Sequence, residues 1–152
     1  MSFEAGANLS LGYLCIKNKQ QECKVMEILV DTSIWIDYFR GGESTKTMDY
    51  LIDENLIATN DIILAELIPY LKIKKQKKVV ELLHCIKKLP LHVQWDEIID
   101  YQVTCLKSGA KGIGIPDLII AQNAKQHQGL VFSLDKHFQL MSDLLKLKLY
   151  KF

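Results

Sequence analysis

Four acids in this sequence sit at the ends of apolar runs or within one. Asp31 closes the apolar run "MEILVD", Asp135 closes "LVFSLD", Glu66 lies inside "IILAELI", and Asp117 comes directly after "KGIGIP". A carboxylate at the end of a buried strand is costly to desolvate unless a cation or a ring of donors meets it. Singly, each has a plain structural explanation: Asp31 and Asp135 as helix N-caps, Asp117 as a first-turn charge favoured by the helix dipole, Glu66 as a surface residue. Brought to one place, four carboxylates repel and raise one another's pKa values. A hard divalent cation removes the conflict, because Mg²⁺ or Mn²⁺ takes oxygen ligands, retains waters, and is held by a few carboxylates together with substrate phosphate oxygens. The chemistry such a centre performs is hydrolysis at phosphorus, one ion activating water and a second, where bound, stabilising the departing oxygen. Thr32, Ser33 and Ser133 add hydroxyls for ligand waters or phosphate.

Positioning these groups is the task of short apolar runs that alternate with helix-period segments. Strands are expected at 27–30, 56–59, 91–93, 130–134 and 148–152, and helices at 33–40, 44–54, 61–71, 75–88, 96–108, 117–127 and 136–145. Ile63, Leu67 and Leu71 fall at i, i+4 and i+8, giving one buried face, and Pro116 suits a first helical turn. Trp35, Tyr38 and Phe39 fit core or subunit packing. The alternation predicts an α/β sandwich with a mostly parallel sheet and right-handed crossovers. Ligands of such sheets collect outside the carboxyl ends of the strands, so all four acids are expected on one edge.

Composition narrows the setting. The 152 residues make one domain, and 19 Lys+Arg against 18 Asp+Glu leaves global charge uninformative. Its distribution is uneven: Lys72 to Lys88 holds seven lysines and one acid, Glu81, so this segment is +6 and the rest of the chain −5. That segment is either a solvated helix face or a phosphate-facing patch, with Lys72, Lys74, Lys75, Lys77 and Lys78 as candidate phosphate contacts and Lys107 or Lys111 as alternatives. Cys15, Cys23, Cys85 and Cys105 lack CxxC spacing and read as free thiols in a reducing compartment. No apolar stretch is long enough to span a bilayer, and "NLSLGYLCI" comes after Glu4 rather than basic residues, so a cytoplasmic location is expected. His84, His92, His127 and His137 lack metal-ligand spacing, and His137, near Asp135 in "LDKHF", reads as a surface residue at a helix start in preference to a phosphate contact. "GIGIP" lacks the third glycine and preceding strand of a dinucleotide site, and Walker A and GxSxG sequences are absent. Residues 1–25 are polar and irregular, unlike the remainder of the chain, and are taken as an N-terminal extension of uncertain role, with the main domain at 26–152.

The stretches "ILVDTSIWIDYFRG", "IATNDIILAELI", "IGIPDLIIAQNA" and "LVFSLDKHF" resemble the four acidic motifs of PIN-domain nucleases, most closely VapC-type toxins of toxin–antitoxin pairs. The resemblance runs through nearly all of 26–152 in the family's order, with acid-to-acid gaps of 35, 51 and 18 residues. It implies a PIN-like three-layer sandwich and a Mg²⁺- or Mn²⁺-dependent endoribonuclease that commonly dimerises and is held inactive by an antitoxin. Asp31, Glu66, Asp117 and Asp135 match its acidic quartet, as catalytic and metal-binding residues. Ser33 matches the hydroxyl of the first motif, Asn60 a polar position before the second-motif helix, and Ser133 stands where threonine is frequent. The N-terminal extension is a departure from the family. A nuclease of the same fold acting on DNA and a module that binds RNA or protein without cutting are the alternatives. A haloacid-dehalogenase-type phosphatase is disfavoured, since the second aspartate two residues after Asp31 is missing.

Overall fold

The structure is a computed structural model and describes residues 26–151. Its framework is a four-stranded parallel sheet in the order β3-β2-β1-β4, with β1 at Ile28–Val30, β2 at Ile57–Thr59, β3 at Lys87–Lys88 and β4 at Leu130–Phe132. The register places Ile28 beside Ile57 and Leu130, so the two apolar strands flanking β1 start level with it. β1 and β2 are buried along their whole length, which is why they read as continuous apolar runs: helices cover both faces of a parallel sheet.

Among the described residues seven helices surround the sheet: α1 (Thr32–Phe39), α2 (Thr45–Asp53), α3 (Asp61–Ile73), α4 (Lys77–Leu83), α5 (Trp95–Lys107), α6 (Ile115–Gln126) and α7 (Lys136–Leu145). Helix α1 buries Ile34, Trp35, Tyr38 and Phe39, and its rings pack on one another with Trp35 and Phe39 centroids 5.7 Å apart. Helix α6 buries an unbroken run from Leu118 to Ala124, including the amides of Gln122 and Asn123, because it packs against α3, α5, α7 and β4. The chain turns from α6 into β4 at Gly129, where a Cβ would stand 2.8 Å from the Glu27 carbonyl oxygen; only glycine lets β4 enter this close to the start of β1.

Several expected elements change. The helix expected over 75–88 ends at Leu83, and Lys87–Lys88 instead pair in parallel with Ala58–Thr59 as β3. Residues 91–93 form no strand. Residues 148–150 contribute an isolated bridge between Val131 and Leu149 in place of a full strand, and Phe152 lies outside the described residues. Cys105 is a free buried thiol, as expected, whereas Cys85 is disulfide-bonded. Pairing needs only two Cβ atoms within about 4 Å, which sequence spacing does not disclose. Cys15, Cys23 and the rest of the proposed extension, residues 1–25, also lie outside the described residues. No described helix is long and apolar enough to cross a membrane.

Candidate metal centre

All four acids issue from the carboxyl-end side of the sheet, each from a different connection. Asp31 comes directly after β1 and is the N-cap of α1, with Oδ2 accepting from the Ser33 amide at 3.2 Å. The same oxygen accepts from Ser33 Oγ at 2.7 Å and Ser133 Oγ at 2.9 Å. Those hydroxyls are held in turn by the backbone after β4: the Leu134 amide donates to Ser33 Oγ and the Asp135 amide to Ser133 Oγ. Two serines therefore tie the end of β1 to the end of β4, and three donors compensate the burial of Asp31, which is 6% exposed.

Glu66 projects from the second turn of α3 and accepts from Thr32 Oγ1 at 2.9 Å through Oε2. Asp117, in the first turn of α6, accepts from the Gly114 amide at 3.3 Å through Oδ2. Asp135 caps α7, its Oδ1 accepting from the His137 amide at 2.9 Å. The plain structural readings of Asp31 and Asp135 as caps are thus correct, and they coexist with convergence of the four groups. Burial pushes the Glu66 carboxyl up, and Asp31 and Asp117 push it further, against the Thr32 hydrogen bond. Burial likewise raises Asp117, helped by Asp135 and Asp31 and opposed by the Gly114 amide and His137.

A common pattern links the four. Each carboxylate is fixed through a single oxygen, while its other oxygen has no hydrogen-bond partner among the described residues. Carboxylates oriented this way, two of which, Glu66 and Asp117, are pushed towards their protonated forms by burial and by neighbouring carboxylates, suit a hard divalent cation with oxygen ligands. Asp117, Asp135 and His137 bring three ligand atoms within 4.8 Å of one another. The His137 Nδ1 stands 3.5 Å from Asp135 Oδ1 and 3.7 Å from Asp117 Oδ2, too long for good hydrogen bonds but close enough to share an ion. From sequence His137 reads as an ordinary surface residue; the direction of α7 turns it onto the acids, and its place two residues after Asp135 is the available signal.

Thr32, Ser33 and Ser133 hydrogen-bond within the cluster, whereas Asn60 makes its hydrogen bonds behind it. Its Oδ1 caps α3 through the Ile63 amide at 3.0 Å, and its Nδ2 donates to Asn123 Oδ1 at 3.0 Å, inside the core. Asn123 donates onward to the Pro90 carbonyl at 2.9 Å, a link invisible in sequence. The lysine cluster stands apart: Lys72, Lys75 and Lys77 line a cavity of about 370 Å³ with Val80 and Glu81, Lys74 lies over the Tyr70 ring, and Lys78 is exposed. Lys111 is nearer, lining a cavity that His137 shares.

A family model for the PIN domain matches residues 28–144. Among solved structures, the chain is similar to VapBC2 from Rickettsia felis bound to a promoter DNA fragment, at 20% identity, a TM-score of 0.66, and coverage of 84% of this chain and 99% of that one. DNA-bound VapBC from Salmonella typhimurium gives 16% identity and a TM-score of 0.66 over 83% and 98% of the two chains. FitAcB from Neisseria gonorrhoeae gives 21% identity and a TM-score of 0.59 over 82% and 96%. These likenesses match the parallel-sheet fold of this chain. No curated protein sequence gives a significant match.

Proposed function

Since the chain belongs to the PIN-domain family, we propose that it is a divalent-metal-dependent endoribonuclease, the toxin of a toxin–antitoxin pair acting in the cytoplasm. The observation that carries this reading is the set of four carboxylates, each anchored by one oxygen and open at the other. Asp31, Glu66, Asp117 and Asp135 are the proposed catalytic residues and metal ligands, with Mg²⁺ or Mn²⁺ as cofactor. When bound, the ion supplies Lewis acidity toward a phosphodiester oxygen and a water of lowered pKa. The chain's own part is to fix the geometry. Ser33 and Ser133 hold Asp31, Thr32 holds Glu66, and the Gly114 amide holds Asp117, so the free oxygens are set in place before substrate arrives.

The VapBC character of two similar structures supports an antitoxin partner. A homodimer is supported by α5, where Trp95, Ile99, Val103 and Leu106 are 60%, 59%, 42% and 56% exposed and share one helix face. The test is cleavage of a mixed RNA pool and a matched DNA pool with Mg²⁺, Mn²⁺ or EDTA, comparing the parent with Asp31→Asn and Asp117→Asn. RNA cutting that needs metal and disappears in both variants is expected. Cutting of DNA alone would favour the same fold acting on DNA, and a folded parent that binds RNA without cutting would favour a binding module.

A further inference from the structure

Beside the acids lies a cavity of about 540 Å³ between the loop at 108–111 and helix α7. Its lining includes the cationic Lys111 and Lys136, the apolar Leu140 and Leu144, and His137, whose Nδ1 also approaches the carboxylates. The imidazole turns Nδ1 to Asp117 and Asp135 and also lines the cavity, so it belongs to both compartments. Both lysines are exposed, and neither has a carboxylate within 4.0 Å among the described residues. By contrast, Lys87 and Lys88, on the edge strand, are paired with Glu27 and Asp61. One acid, Asp143, stands in the cavity wall, leaving the lysines in excess.

This is what a polyanionic substrate needs next to an anionic centre. Four carboxylates repel phosphates other than the one held at the metal, so neighbouring phosphates must be met by cations within reach. The apolar wall offers partly exposed Leu140 for contact with a sugar or base face. We propose that this cavity receives the nucleotide adjoining the scissile phosphodiester, with Lys111 and Lys136 pairing with its phosphate and Leu140 and Leu144 lining its base. The assignment rests on the nuclease reading and gives that site a second compartment. It also moves the substrate path away from the lysine cluster at 72–78, whose cavity includes none of the site acids.

The experiment separates binding from cutting. A fluorescent single-stranded RNA is titrated in EDTA against full-length protein carrying Asp117→Asn, over a salt series, with and without Lys111→Ala and Lys136→Ala. Each lysine removed should lower the slope of log affinity against log salt by about 0.7, the value expected for one single-strand phosphate contact. Lys146→Ala with Lys148→Ala, which lie by Gly129 at the other end of β4, should leave the slope unchanged. In the otherwise intact protein, Lys111→Ala with Lys136→Ala should raise KM several-fold while kcat holds. Unchanged slope and KM alongside intact metal-dependent cleavage would overturn the cavity assignment and leave the nuclease standing. No RNA binding and no metal-dependent cleavage by the parent would remove both.

Discussion

The buried amide pair Asn60–Asn123 ties together the helices that bear Glu66 and Asp117, and its removal can be worked through in free energy. Both side chains are essentially inaccessible, at 0% and 1% exposure. Asn60→Ala deletes the cap on the Ile63 amide, a loss of about 1 kcal/mol, and strands the Asn123 carbonyl oxygen, a loss of about 2 kcal/mol. Asn123→Ala strands the Asn60 Nδ2 and takes one of two partners from the Pro90 carbonyl, which keeps His127 Nε2 at 3.2 Å, for about 2–3 kcal/mol in total. The double variant no longer strands the partner atom in either direction, so its cost should stay near 3 kcal/mol rather than double, a coupling of about 2–3 kcal/mol. Each single change should lower Tm by about 6–12 °C for a chain of this length. The assay is urea unfolding followed by circular dichroism in EDTA, with m compared across the four proteins to confirm one cooperative transition. Costs that add within about 0.5 kcal/mol would show that the two amides act independently and refute the clamp.

Three other outcomes are expected from the site and surface. Burial and neighbouring carboxylates raise the Asp117 pKa, so ionisation opposes folding: no penalty exists below the ordinary value of 3.8, and it grows as pH rises through the folded-state value. Asp117→Asn should therefore raise Tm in EDTA at pH 7.5, lose that advantage towards pH 4, and fail to gain the metal-induced Tm increase of the parent; a variant less stable than the parent at pH 7.5 in EDTA would count against carboxylate repulsion. Ser133→Ala removes a donor to Asp31 and the acceptor of the Asp135 amide, and calorimetric Mn²⁺ affinity should fall about 10- to 100-fold, with affinity equal to the parent's as the contrary result. Ile99→Arg places a charge in the middle of the exposed apolar face of α5, and light scattering should report a monomer for the variant against the dimer proposed for the parent; the same mass for both would count against dimerisation through α5.

Much of the framework is legible in the sequence because burial dictates pattern. Strands β1, β2 and β4 are covered by helices and must be apolar, and each gives way to a polar or acidic residue where the chain leaves the core. The two-residue β3 is not legible: its lysines are exposed, so what defines it is backbone pairing with β2 and the Leu89 amide bonding to the Thr59 carbonyl, neither of which leaves a side-chain period. Asn60 illustrates the same limit at the site. The resemblance marks it as a supporting polar residue before the second-motif helix, yet which group it supports depends on where the helix start faces, and here that is Asn123, 63 residues away. His137 is hidden for the converse reason, since one turn of α7 decides whether a side chain meets solvent or Asp117.

The two serine bridges between the ends of β1 and β4 also set an order of events during synthesis. The chain emerges N-terminus first, so Asp31, Glu66 and Asp117 are all made before β4 exists. Until Phe132 and its neighbours pair with β1, Asp31 lacks the Ser133 hydroxyl, Ser33 lacks the Leu134 amide, and Asp135 is absent. A nascent chain of this protein therefore carries an incomplete centre while it is still on the ribosome, surrounded by RNA. On the proposed nuclease function, competence to cut arrives only when β4 closes onto β1.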